Sequence, residues 1–331
     1  MYLKKSHWVL LIIILVLLCT MLFRNKSKYT SIEETIVFNE KLSDYNFFKG
    51  TPSDLKPTSA LDIYELSSEL FTDYADKQRM ILLPKGKKII ATNSELPDFP
   101  NGTIIVKTFF YKNHMNHQDV KQKIIETRLL IKNNSVWNAA TYRWNMQQDE
   151  AFLSKNRESV PITFIDNFGN KRSTSYQIPS STDCATCHKQ NGSLSPLGPK
   201  IRNLNIDILR NKHFINQLEY FKNQNKLEIS EKNILTTPDY SDVNLDYNKR
   251  ARAYFDINCA HCHNSEGNAY HVQMDLRLNI PFDNSGIAKK SAQILSRINI
   301  SGELHMPKIG TTLNHDDGIQ LITKYINSLN K

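Results

Sequence analysis

Two short stretches, TDCATCHKQNG at 182–192 and INCAHCHNSEG at 257–267, hold four of the five cysteines of this chain, and each spells C-x-x-C-H. Nothing else in the sequence constrains the fold as tightly. Each copy demands a turn that brings two thiols and an imidazole to one place, with a pocket beside them. The spacing is the signature of covalent c-type haem attachment. Two residues between the thiols let both reach the vinyl groups along one porphyrin edge, and the next residue swings its imidazole under the iron as proximal ligand. Cys184, Cys187 and His188, and again Cys259, Cys262 and His263, are therefore expected to carry two covalently bound haem c groups with their iron. The competing readings are zinc and thiol redox chemistry. Zinc gives no reason to place a histidine in the slot after the second cysteine. The 71 residues between Cys187 and Cys259 also exceed the roughly 15–20 that separate the pairs of a zinc ribbon.

A chain of 331 residues can build two or more cores. Lys and Arg exceed Asp and Glu by nine, an excess that could guide docking to an acidic partner or anionic lipid but reads more simply as solvated surface. No basic cluster interleaved with aromatics argues for nucleic acid. The amino terminus is more specific. After Lys4 and Lys5, 16 residues from Trp8 to Phe23 carry no charge, short for a spanning helix of about 20 residues and long for a signal h-region. No small-residue cleavage site follows, and Leu18 precedes Cys19 where lipidation would want a small residue. Residues 1–24 thus read as an uncleaved signal anchor, with a cleaved signal peptide as the alternative. Positive charge on both flanks leaves orientation open. Haem decides it, because c-type haem is attached outside the bacterial cytoplasmic membrane. The chain from residue 25 is expected on the periplasmic side of the inner membrane, anchored by its N-terminal helix, or secreted if cleaved. With those cysteines assigned to haem, no disulfide framework remains.

Residues 245–331 read as one helical unit. Tyr247, Ala251, Tyr254 and Phe255 fall at helical spacing and lead into the second motif. Near the end, Asn314 suits an N-cap, Asp316 and Asp317 suit the first turn, and Ile319, Ile322, Tyr325, Ile326 and Leu329 line one face. Between these helices lies ELHMPKIG, with Met306 43 residues after His263. This order, leading helix, C-x-x-C-H, Met-Pro loop and closing helix, resembles a class I cytochrome c domain. The resemblance implies His263 and Met306 as the axial pair, a ligation that raises the reduction potential. Met274, 11 residues past His263, and His305, beside Met306, are the weaker competitors.

The first motif differs. NKRSTSYQIPSSTDCATCH alternates like a strand, with no amphipathic helix before Cys184. CHKQNGSLSPLGPKIRNLN resembles the cytochrome c stretch in which a proline carbonyl accepts the proximal His Nδ1–H, which implies that role for Pro199. No Met-Pro loop follows before the second unit. For a sixth ligand the options are His213, in an expected helix over about 203–223, and Met146, His114 and His117 upstream, or else an open iron.

The front of the chain is β-prone: TIIVKTFFY (103–111), IIETRLLI (124–131) and SVWNAATYRW (135–144), with a turn at Asn133-Asn134, then VPITFI and RSTSYQI around DNFGN. ELFTDYADKQRMILLP, FPNGTIIVKTFFY, IETRLLI, YRWN, GPKIRNLN and ARAYFDINCAHCHNSEG together resemble a family of bacterial dihaem c-type cytochromes with no assigned reaction, over about residues 40–331. The expected architecture is α+β and multidomain: the anchor at 1–24, a β-rich domain at 25–180, a first haem-binding segment at 181–244, and an all-α class I cytochrome c-like domain at 245–331. The expected function is electron transfer between periplasmic or membrane redox partner proteins, rather than catalysis. The rival is a peroxidase-like dihaem oxidoreductase with one open haem iron and an acid/base group above it.

Overall fold

The computed structural model describes residues 36–112, 122–166, 168–190, 192–300, 302 and 304–329. The expected anchor at 1–24, and His114 and His117, lie outside the described residues. Among the described residues no helix is long and apolar enough to cross a membrane.

The β-branched and aromatic runs pair into one antiparallel sheet in the order β1-β2-β4-β5-β6-β7. Its strands are β1 (Leu61–Ile63), β2 (Asp76–Leu82), β4 (Ile104–Tyr111), β5 (Lys123–Asn133), β6 (Val136–Trp144) and β7 (Ala151–Ser154). The β5–β6 turn sits one residue later than expected, at Asn134 and Ser135. Both have positive φ, 48° and 66°, as a tight two-residue hairpin requires. Alternation gives the sheet two different faces. On one, Met80, Val106, Leu129 and Ala140 stand opposite each other in register and pack on Leu42, Phe47 and Leu55. The other face carries two separate cores. Ile81 and Ile105 pack with Ile201, Leu204, Leu218 and Phe221. Phe109 and Ile125 pack with Ile162, Phe164, Tyr176 and Ile178 of the hairpin β8 (Glu158–Ile165) and β9 (Lys171–Ile178). This hairpin is the one expected around DNFGN.

The rest of the chain lies around that second face: α1 (Ser181–His188), β10 (Lys189–Gln190), β11 (Ser193–Leu194), α2 (Ile201–Leu204), β12 (Asp207–Arg210), β13 (His213–Asn216) and α3 (Gln217–Asn223). β14 (Leu227–Ile229) adds in parallel to β3 (Ile89–Ala91). The helix expected over 203–223 is broken. Asn211 and Lys212 take positive φ, 50° and 69°, and close a β12–β13 hairpin that leaves His213 exposed on a strand. Then come α4 (Tyr247–Asn258), α5 (Ile287–Asn299) and α6 (Asp316–Leu329).

The multidomain α+β reading, with an all-α cytochrome c-like domain at its end, is overturned. Phe38–Lys331 is one compact unit, and its framework is the large antiparallel sheet. The α-helices among the described residues are short, none longer than 14 residues. The physical reason lies in polar links that tie the last helices to the sheet region. Asp256 of α4, with no side-chain exposure, takes Arg202 at 2.9 Å and Lys200 at 2.9 Å. Asn258 Oδ1 accepts from Phe71 N at 2.8 Å. The Asp73 carboxylate accepts from Thr312 N, Thr312 Oγ1 and Leu313 N at 2.7–2.9 Å, and Arg172 donates to Asp316 at 2.7 Å. A free-standing helical domain would not bury a carboxylate whose counter-ions come from outside it. The helical spacing at 247–258 and near the end told element type, not independence.

Candidate functional site

The first motif lies in α1. Ser180 caps this helix in a reciprocal box: its hydroxyl accepts from Asp183 N at 3.3 Å, and the Asp183 carboxylate accepts from Ser180 N at 3.0 Å. Arg157 binds the same carboxylate, its Nε at 3.0 Å, and holds the acid at about 2. The helix is thereby fixed in start and register, so Cys184, Cys187 and His188 share one face at i, i+3 and i+4. The β10–β11 hairpin then turns the chain back, and His188 Nδ1 lies 2.8 Å from the Ser195 carbonyl oxygen. The carbonyl that orients this ring is therefore Ser195, not Pro199. Burial, with Lys107 and Arg128 nearby, lowers the His188 imidazole to about 4.

The second motif is the turn that ends α4. Cys262 N and His263 N both donate to Cys259 O, at 3.1 and 3.0 Å, and Asn264 Nδ2 returns to Ala260 O at 2.7 Å. Gly267 closes it where a Cβ would strike the Cys262 backbone carbonyl. Burial pushes the Cys259 thiol up to about 12 and the His263 imidazole down to about 4. The Nδ1 atoms of His263 and His261 are buried with no partner among the described residues.

Each motif faces a cavity. The second is lined by Cys259, Cys262, His263 and Met306 together with apolar groups such as Phe71, Ile298, Pro307 and Ile319. Met306 is half-buried there, its N–H bonded to Arg297 O at 3.0 Å. His305 lines the same cavity, its Nδ1 2.8 Å from Ile300 O, while Met274 packs in the helical core. The first cavity is lined by Cys184, Cys187 and His188 and is floored by the sheet residues Arg79, Lys107 and Arg128. The two cavities share Cys187 and His261. The Cys262 sulfur accepts a hydrogen bond from Cys187, which with burial pushes Cys187 up to about 12 and lowers Cys262. Asn268 Nδ2 donates to Thr186 O across the same seam.

The structure thus brings all seven expected site residues to two adjoining cavities. It does not bring His213 or Met146 there: His213 is exposed, and Met146 is 74 % exposed on another part of the sheet. Besides His188, His261 is the one imidazole that lines the first cavity among the described residues. Sequence reading passed over it because a residue inside C-x-x-C carries no sign of which way the turn will point it. His315 was also missed. Its ring stacks on Phe71 (centroids 4.1 Å, planes 6°), its Nδ1 is 3.1 Å from Tyr254 Oη, and burial lowers it to about 4. Its only linear trace is its place at the start of the last helix. No group of three or more His, Cys, Asp or Glu among the described residues is placed to hold one metal ion, so the four thiols do not form a ready tetrahedral site. Compared with known proteins, the chain matches no family model, no curated protein and no solved structure.

Proposed function

We propose that the chain is an exported dihaem c-type cytochrome that passes electrons between redox partner proteins. The observation that carries this reading is the meeting of the two C-x-x-C-H motifs, distant in sequence, at Cys187 and Cys262, each motif opening on a cavity. When bound, each haem supplies a one-electron iron couple. Cys184 and Cys187 would hold one group, with His188 as its proximal ligand, and Cys259 and Cys262 the other, with His263. Met306, in the cavity of His263, would supply a thioether to the same iron. Several features support the fit. The thiols are free among the described residues, His263 lines a largely apolar slot with its Nδ1 buried and without a partner among the described residues, and no competing metal-ligand cluster exists among the described residues. Because Cys187 and Cys262 touch, the two motifs that would hold the redox groups adjoin, which suits a relay of single electrons. Attachment to the membrane through residues 1–24 and a periplasmic location belong to the same reading.

The peroxidase-like alternative would draw on His261, which lines the first cavity with its Nδ1 buried and without a partner among the described residues. It needs an uncommitted acid/base above an open iron. Asp183 is the carboxylate in the first cavity, and it is committed to Arg157 and the helix cap. An anaerobic redox titration of haem-matured residues 25–331 tests the reading. Two reversible one-electron steps and rapid exchange with a small electron carrier are expected. Peroxide turnover faster than carrier exchange would move the assignment to the oxidoreductase, and no reversible step at all would reject both.

A further inference from the structure

Between the two apolar cores on the site-bearing face of the sheet, three cations stand in a row. Strand register sets Arg79 opposite Lys107, Lys107 opposite Arg128, and Arg128 opposite Thr141. Like charges directly opposite each other destabilise a sheet, and more so where water is excluded. The carboxylates nearby do not balance them. Glu126, fully buried, is bidentate to Arg128 at 2.5 and 2.9 Å. Glu69 takes Arg79 Nη1 at 2.8 Å and also faces Lys77 at 3.9 Å. Arg79 is 4 % exposed, and its Nη2 is buried with no partner among the described residues. Lys107 has no carboxylate within ion-pair distance among the described residues, and its ammonium lies 4.8 Å over the Phe109 ring. Burial, with Arg79, Lys77 and Arg128 around it, lowers that ammonium well below its usual range. Arg79, Lys107 and Arg128 all line the cavity of the first motif, where the carboxylate among the lining residues, Asp183, is already bound to Arg157.

The row also has a direction. It ends at Thr141, whose Oγ1 is 3.9 Å from Cys184 Sγ. Neighbouring strands lie about 4.8 Å apart, so Lys107 falls roughly 10 Å and Arg79 roughly 14 Å across the sheet from that end. A porphyrin carries its two carboxylates on the edge opposite the vinyl carbons that cysteines capture, about one macrocycle width away. We propose that Arg79 and Lys107, flanked by Arg128, are an anion-binding row that receives the carboxylates of the porphyrin held at Cys184 and Cys187. The inference rests on the dihaem reading. Its ligand chemistry, a carboxylate or oxyanion against paired cations, could also be met by a free anion from solvent, which the test separates.

The experiment uses the haem-matured chain, with covalent haem counted and both midpoint potentials measured by optical titration. The first haem is identified by its loss in a Cys184→Ser, Cys187→Ser variant. Lys107→Met and Lys107→Gln are expected to lower the potential of the first haem and leave the second unmoved, with Lys107→Arg restoring it. A merely structural lysine would not produce that selective shift. Unchanged potentials in neutral variants that still carry both haems would overturn the proposal. So would a saturable shift of the native potential by sulfate at fixed ionic strength, abolished in Lys107→Met, which would assign the row to a free anion. Absence of haem at the first motif of the native chain would instead remove the dihaem reading, and this inference with it.

Discussion

His188 and His263 occupy the same slot of the same motif, yet their surroundings differ. His188 has its Nδ1 against the Ser195 carbonyl, whereas the His263 Nδ1 is buried without a partner among the described residues. The cysteines and the two histidines stood out in the sequence because C-x-x-C-H recurs at fixed spacing, and Met306 because of its Met-Pro loop before the last helix; the structure sets all seven around two adjoining cavities. The cation row did not stand out, since Arg79, Lys107 and Arg128 are far apart in the chain and meet only through strand register. Nor did Ser195, which reaches His188 through a two-strand hairpin too short to carry a pattern. Two predictions belong at this scale. Asp256→Ala leaves the buried Arg202 with Glu95 as its remaining carboxylate and should cost about 2–3 kcal/mol in urea unfolding; a loss under 1 kcal/mol would mean the link is idle. His315 titrates at about 4 in the folded chain against 6.5 for the ordinary imidazole. The folded state therefore takes its proton later than the unfolded one. Its contribution is complete above about pH 6.5, declines as pH falls, and is gone once both states are protonated below about 4. Between pH 7 and 5 the native chain should lose roughly 1–2 kcal/mol more than His315→Gln; equal losses would place the titration elsewhere.

Elements were read with uneven success, for reasons that differ by type. The strands β4, β5, β6, β8 and β9 and the helices α4 and α6 each carry a period long enough to see. The expected helix over 203–223 instead became a short helix, a hairpin and another short helix, because two left-handed residues at Asn211 and Lys212 decide the path. Helix α1 was hidden by its composition. Cysteines and a histidine occupy its interior, so no amphipathic pattern marks it, and only the Ser180–Asp183 box announces its start. Ser180→Ala should therefore destabilise the chain by about 1 kcal/mol and lower haem incorporation at Cys184 and Cys187, while the second motif still matures; equal loss at both motifs would argue against a local effect. The crossing of α4 and α6 depends on Gly318, where a Cβ would collide with the Tyr254 ring. Gly318→Ala should cost roughly 1–3 kcal/mol by thermal or urea unfolding.

At the scale of the molecule, the largest departure from expectation is the loss of a domain boundary near residue 244. Sequence periodicity reports which face of a helix is buried, but not against what. Here Asp73 and Asp256, on either side of that point, are satisfied across it, and Phe38–Lys331 holds together as one unit. Residues 245–331 alone should then fail to fold, with a circular dichroism spectrum far below the helix content they have in the whole chain; a folded, haem-binding fragment would restore the separate domain. The central claim is that two motifs hold two haems side by side. Its most direct measurement is the number of covalent haems per chain, by pyridine haemochrome and intact mass, in residues 25–331 matured by the haem-attachment machinery. The account predicts two, falling to one when either cysteine pair is replaced by serine. A chain that leaves maturation with none, or with zinc in their place, would contradict it.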